Sequence, residues 1–179
     1  MFNKIKYLVI LCFAFSFIAC NDDDNNNEEE VAQNVYEGCC STDPVFGENV
    51  DNLDQSVGAI EVITIVTPNG DGFHDMLKIR NIELYPNHTV TIYNSENLQI
   101  FESTNYTTIE TVFPGYPQDE YEGAVNAPNG TYRYRIVVDD EQTFRLSGSF
   151  CMYTFPDSEP DFEGCNFDFF DPIIFNPPN

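Results

Sequence analysis

Alternating hydrophobic and polar positions recur in the second half of the chain and predict β-strands. Residues 131–138 place three large apolar side chains on one side and two arginines, Arg133 and Arg135, on the other. This two-residue period is typical of a strand with one buried face and one solvated face. A second long run, residues 143–154, follows after a short polar turn, so the two segments predict a hairpin.

Shorter strands are predicted in four further segments: 59–66, 76–82, 89–94 and 98–103. The last two are separated by a few polar residues, a spacing that suits a hairpin. No window combines the three- and four-residue spacing of an amphipathic helix with capping residues. Short strands with frequent turn signals predict an all-β fold, an antiparallel immunoglobulin-like β-sandwich of about seven strands.

The start of the chain predicts a lipoprotein signal peptide. Two lysines precede an apolar run, residues 7–18, that is too short to span a bilayer comfortably. The run ends in Ala19 and Cys20, which resemble the lipobox of bacterial lipoproteins. We therefore expect removal of residues 1–19 and lipidation of Cys20, since several acyl chains hold a protein on a membrane. An ordinary signal peptide with an incidental cysteine is the alternative.

An acidic cluster follows Cys20 directly and resembles the surface-export signal of Bacteroidetes-type lipoproteins. This resemblance implies an outer-membrane lipoprotein exposed at the cell surface. Beyond the signal peptide the chain is expected to divide into four parts: an acidic disordered tether at 20–36, a cysteine-bearing segment at 37–58, the β-sandwich at 59–154 and an acidic aromatic tail at 155–179.

The net charge of the chain excludes one class of function. The chain has 30 acidic and 7 basic residues, and two of the basic ones lie in the predicted signal peptide. The remainder carries 5 basic against 30 acidic residues, a net charge of −25. A nucleic-acid-binding protein needs a basic surface, so this class is excluded.

Four cysteines remain after the predicted signal peptide and lipid site: Cys39, Cys40, Cys151 and Cys165. Export permits disulfides. A bond between two adjacent cysteines strains the peptide, so we expect each of the first two to pair with one of the last two, and both such connectivities stay open. A four-thiolate zinc site is the alternative. It is disfavoured because the first two cysteines lack the usual spacer.

A polar loop at residues 67–75 holds the most concentrated candidate chemistry. Asn69, Asp71 and Asp75 occupy positions 1, 3 and 7 of a tight segment that also contains two glycines. Calcium prefers six to eight oxygen ligands, so these three side chains are a possible part of a calcium site. We favour the other interpretation, in which they cap the turn by accepting local backbone N–H groups. No other cofactor or metal is expected.

The same loop carries a family resemblance. The letters TPNGDG at residues 67–72, followed by Asp75, resemble the opening of the gliding motility-associated C-terminal domain, the type B sorting domain of the Bacteroidetes type IX secretion system. Further similar pieces follow in the family's order: residues 84–87, 91–94, 121–123 and 128–134. The resemblance implies a β-sandwich and contact with the type IX secretion machinery.

Catalytic motifs are not evident. The two histidines, His74 and His88, stand near no nucleophile motif, and we expect both to be exposed loop residues. The leading hypothesis is a non-enzymatic, lipid-anchored surface module with a structural, adhesion or secretion-linked role. The alternative is a lipoprotein that binds surface glycan or protein, with Tyr116 and Tyr121 as an aromatic platform.

Overall fold

The computed structural model describes residues 34–116, 127–139, 143–153 and 165. It contains seven strands: β1 (Glu61–Val62), β2 (Ile65–Val66), β3 (Ile79–Arg80), β4 (His88–Tyr93), β5 (Gln99–Ser103), β6 (Gly130–Asp139) and β7 (Thr143–Met152). Within these ranges the only helical element is a 3-10 turn at Ile82–Leu84. The predicted all-β fold is confirmed.

The strands form two sheets. The larger has five strands in the order β2-β7-β6-β4-β5, and the smaller pairs β1 with β3. Strands β6 and β7 make the predicted hairpin, whose register runs from Gly130 opposite Met152 to Asp139 opposite Thr143. Strand β2 pairs with the end of β7 in parallel, with Ile65 opposite Cys151, whereas the other strand pairs are antiparallel.

Burial follows the predicted alternation in β6. The apolar side chains on its core side are buried, whereas on the other side Arg135 is exposed and Arg133 and Val137 are partly buried. On the core side, Tyr134 lies across Gly148 of β7, where an added Cβ would stand 2.5 Å from the tyrosine hydroxyl oxygen. The aromatic ring therefore occupies the space that a side chain on β7 would need.

Two of the shorter predicted strands differ from the structure. Residues 59–66 form two strands in different sheets, because the N–H of Ile63 bonds to Lys78 O at 2.9 Å, whereas the carbonyl of Thr64 accepts from Cys151 N. The segment 76–82 contains only the two residues of β3, because Asn81 takes a left-handed φ of 62° and ends the strand. The segments 89–94 and 98–103 match β4 and β5 closely.

Candidate functional site

The loop between β2 and β3 is closed by Thr67, which is fully buried. Its N–H donates to His74 O at 2.7 Å, and its hydroxyl donates to Phe73 O at 3.1 Å. The two carboxylate oxygens of Asp75 accept the N–H groups of Gly70 and Gly72, both at 2.7 Å. Both glycines have φ above 80°, a conformation that side chains rarely adopt.

The other two predicted loop residues also accept backbone N–H groups. Oδ1 of Asn69 accepts from Asp71 N at 3.0 Å, and Oδ1 of Asp71 accepts from Phe73 N at 2.8 Å. The structure therefore brings Asn69, Asp71 and Asp75 together in one loop. Their hydrogen bonds are those that the capping interpretation requires.

Calcium is expected to change the stability of this loop little. Both oxygens of Asp75 already accept N–H groups, and three side chains do not complete a calcium shell. We expect millimolar calcium to raise the melting temperature by no more than a few degrees in scanning calorimetry, with magnesium as the control ion. A large shift that is specific to calcium and is lost in Asp75→Asn would contradict this prediction.

A groove with a volume of about 630 Å³ lies beside the loop. Phe73, Met76, Ile82 and Val112 supply apolar side chains to its lining, and Lys78 supplies a cation. Phe73 is 45% exposed, although hydrogen bonds hold its backbone on both sides. The loop thus holds the backbone of an exposed aromatic residue next to an open groove, an arrangement suited to binding a ligand or protein segment.

The long loop after β5 contributes Tyr106, Thr107 and Val112 to the groove lining. The Tyr106 hydroxyl donates to Leu77 O at 2.6 Å and accepts from Phe113 N at 3.0 Å. The N–H of Leu77 in turn bonds to Phe113 O at 3.1 Å. Burial raises the pKa of Tyr106 far above its ordinary value, since a buried phenolate loses its hydration.

The prediction that His88 is an exposed loop residue is wrong. Its side chain is 3% exposed, and Nε2 accepts the N–H of Tyr106 at 2.7 Å. Nδ1 then carries the proton and donates to the carbonyl of Tyr85. Both ring nitrogens are therefore engaged with the backbone, which makes His88 a structural residue that joins β4 to the long loop.

The four predicted cysteines meet at one place. Cys39 is bonded to Cys151, and Cys40 is bonded to Cys165, which selects one of the two connectivities left open by the sequence. Cys39 and Cys151 are buried in a small cluster with four apolar neighbours: Tyr36, Ile63, Ile65 and Tyr153. Burial, and then the nearby Tyr153, raise the pKa of Tyr36 to about 12.

The N-terminal segment is also fastened to the sheet by hydrogen bonds. The Thr131 hydroxyl bonds to the carbonyls of Val35 and Glu37, at 3.1 and 3.0 Å. Further along, Val50 pairs with Arg145 on the outer edge of β7. Cysteine chemistry and hydrogen bonding therefore hold this segment against β6 and β7.

The sequence did not reveal the exposure of Phe73. The available signal was a large apolar residue inside an otherwise polar turn, and only the fold shows that its ring faces solvent. Cys20, Tyr121 and the tail beyond Cys165 lie outside the described residues. Among the residues described, no helix has the length and apolar character needed to cross a membrane.

Comparison with known families supplies one match. The family model described as "CHU_C Type IX secretion signal domain" matches residues 60–151, which is 92 of the 179 residues. The matched region contains the capped loop, the groove and β1 to β6, and it ends at Cys151 within β7. No curated protein matches the chain.

Proposed function

Because this chain belongs to the CHU_C type IX secretion signal domain family, we propose that it is a non-enzymatic, lipid-anchored module of the cell surface whose β-sandwich serves as a secretion address. The family match over more than half of the chain is the observation that carries this proposal. The lipid anchor rests on a separate feature, the lipobox-like residues that end in Cys20.

The chemistry of the described residues supports a binding role rather than a catalytic one. His88 has both ring nitrogens bonded to backbone groups, and Asp75 has both carboxylate oxygens bonded to loop N–H groups. These side chains stabilise the fold, and Phe73 is the exposed large apolar residue of the loop. An exposed aromatic residue on a hydrogen-bonded backbone is the kind of anchor that protein partners use, because the loop backbone loses little entropy on binding.

The expected partners follow from the family match and from the predicted lipid site at Cys20. Acyl chains on Cys20 would insert into the outer membrane, and the β-sandwich would contact the type IX secretion machinery. The strongly negative net charge of the chain disfavours binding of the domain itself to an anionic lipid surface. The module would therefore stand away from the membrane on its acidic tether.

Protease shaving of intact cells tests both parts of the proposal separately. Four strains are compared: wild type, Cys20→Ser, the control Cys12→Ser, and a strain that lacks the type IX channel. We expect surface exposure in wild type and Cys12→Ser, and loss of exposure both in Cys20→Ser and in the strain without the channel. Normal surface exposure of Cys20→Ser would refute the lipid anchor, whereas exposure without the channel would refute the address.

The alternative function, binding of surface glycan or protein, is favoured by the groove beside Phe73. If the protein stayed exposed at the cell surface in the strain without the type IX channel, this binding function would replace the proposed role as a secretion address. In that case the same β-sandwich would act as a stand-alone binding module on its lipid anchor, since one fold supports different functions.

A further inference from the structure

The sulfur atoms of the two disulfides form a single cluster. Besides the two bonds, Cys40 Sγ lies 3.3 Å from Cys151 Sγ, and Cys151 Sγ lies 3.6 Å from Cys165 Sγ. All four sulfur atoms lie within 4.8 Å of one another. Such convergence is more than two separate disulfides require, since each disulfide needs only its own partner.

We propose that the reduced chain binds one zinc ion through the thiolates of Cys39, Cys40, Cys151 and Cys165. Tetrahedral zinc with bonds of about 2.3 Å to sulfur places the four sulfur atoms about 3.8 Å apart. The sulfur contacts between the two disulfides are already 3.3 and 3.6 Å. The largest movement separates the sulfur atoms within each bonded pair, whose Cα atoms start 4.8 and 5.1 Å apart. The remaining sulfur pairs, all within 4.8 Å, need smaller adjustments.

The adjacency of Cys39 and Cys40 does not prevent this geometry. The N–H of Cys39 donates to Tyr36 O, and the N–H of Ser41 donates to Gly38 O, both at 3.0 Å. These turns, with Gly38 at a φ of 69°, bring the sulfur atoms of both adjacent cysteines to the same place. The spacer that zinc knuckles use is one way to converge two ligands, and this turn is another.

The surroundings are those of a structural metal site. Cys39 and Cys151 are 1% and 0% exposed, and apolar side chains pack around them. Four protein ligands fill a tetrahedral shell and leave no position for substrate. Binding converts four thiols and one zinc ion into a tetrathiolate complex and releases four protons, so affinity rises with pH.

Zinc binding also requires a folded chain. The ligands come from positions separated by 112 and 125 residues, which only the fold brings together. The newly made chain carries thiols, so zinc would hold the N-terminal segment against β7 until the disulfides form. This role concerns the cysteine cluster alone and does not depend on the secretion address.

The test uses the chain from residue 20 onward with Cys20→Ser, so that the lipid site contributes no thiol. One sample is reduced with a phosphine and the other keeps both disulfides, and each is titrated with zinc and then with cobalt. We expect one metal per reduced chain, a thiolate-to-cobalt charge-transfer band, and a higher melting temperature with zinc. The oxidised chain is expected to show no such band.

The readouts separate thiolate binding from weak binding by the many carboxylates. A reduced chain without the charge-transfer band would overturn the proposal, and so would equal metal content in the reduced and oxidised samples. Cys40→Ser, at the more exposed end of the cluster, provides a second check. It is expected to lower zinc affinity at least tenfold in the reduced chain, and unchanged affinity would refute a four-thiolate site.

Discussion

Replacing all four paired cysteines by alanine is expected to lower the free energy of unfolding by about 7–8 kcal/mol. Removing either disulfide alone is expected to cost only about 3 kcal/mol. The difference arises because the two crosslinks close overlapping loops. Their sequence separations are 112 and 125 residues, yet two of the half-cystines are adjacent and the other two are 14 residues apart.

These free-energy changes follow from the loop-closure entropy that each crosslink removes from the unfolded chain. The first crosslink closes a loop of about 100 residues and contributes about 4.7 kcal/mol, whichever disulfide it is. The second then closes a loop of only about 15 residues and contributes about 3 kcal/mol. The free energy of unfolding of a small domain is about 5–15 kcal/mol. Loss of both crosslinks would therefore remove most of the stability of such a domain.

Urea denaturation in the presence of a chelator measures this effect. The Cys39→Ala/Cys151→Ala pair and the Cys40→Ala/Cys165→Ala pair are compared with the quadruple variant. The quadruple variant should lose more than the sum of the two pairs. A loss equal to or smaller than that sum would show that the crosslinks do not share a loop.

Tyr106→Phe should lower the free energy of unfolding by about 2–4 kcal/mol, a large effect for the loss of one oxygen atom. The hydroxyl satisfies two buried backbone groups, Leu77 O at 2.6 Å and Phe113 N at 3.0 Å. Both of these residues are 0% exposed, so water does not replace the lost partner. Each unsatisfied buried group costs about 1–3 kcal/mol.

Tyr116→Phe is the matched control, since Tyr116 is 60% exposed and lies in the same loop. Its expected change is within about 0.5 kcal/mol. Chemical denaturation of both variants, followed by tyrosine fluorescence and circular dichroism, measures the difference. Similar stability of the two variants would mean that the Tyr106 hydroxyl does not support the groove wall.

Local patterns predicted the parts of the fold that local contacts determine. The β6–β7 hairpin was predictable because alternation continues on both sides of one turn. The split of residues 59–66 was not, since Ile63 and Thr64 lie within one continuous run rich in β-branched residues. Their backbone groups bond to Lys78 and Cys151, and only the tertiary structure determines those partners.

The same limit applies to the candidate site. The capped loop was predictable from Asn69, Asp71 and Asp75, because their acceptors and donors lie within a few residues. The disulfide connectivity was not, because it depends on where residues more than 100 positions apart meet. Burial of His88 was likewise hidden, since its partner Tyr106 comes from another loop.

The Cys39–Cys151 bond also determines how the protein would respond to pulling. Tension that enters through the proposed N-terminal tether would reach Cys39 and divide between Cys151, across the disulfide, and Cys40, through the peptide bond. Cys40 passes tension on to Cys165 through the second disulfide, so residues 41–150, which lie inside the covalent loop, carry no load between the chain ends. This loop contains nearly all of the region matched by the family model. A surface protein under drag could thus be stretched at its ends while its β-sandwich kept its shape.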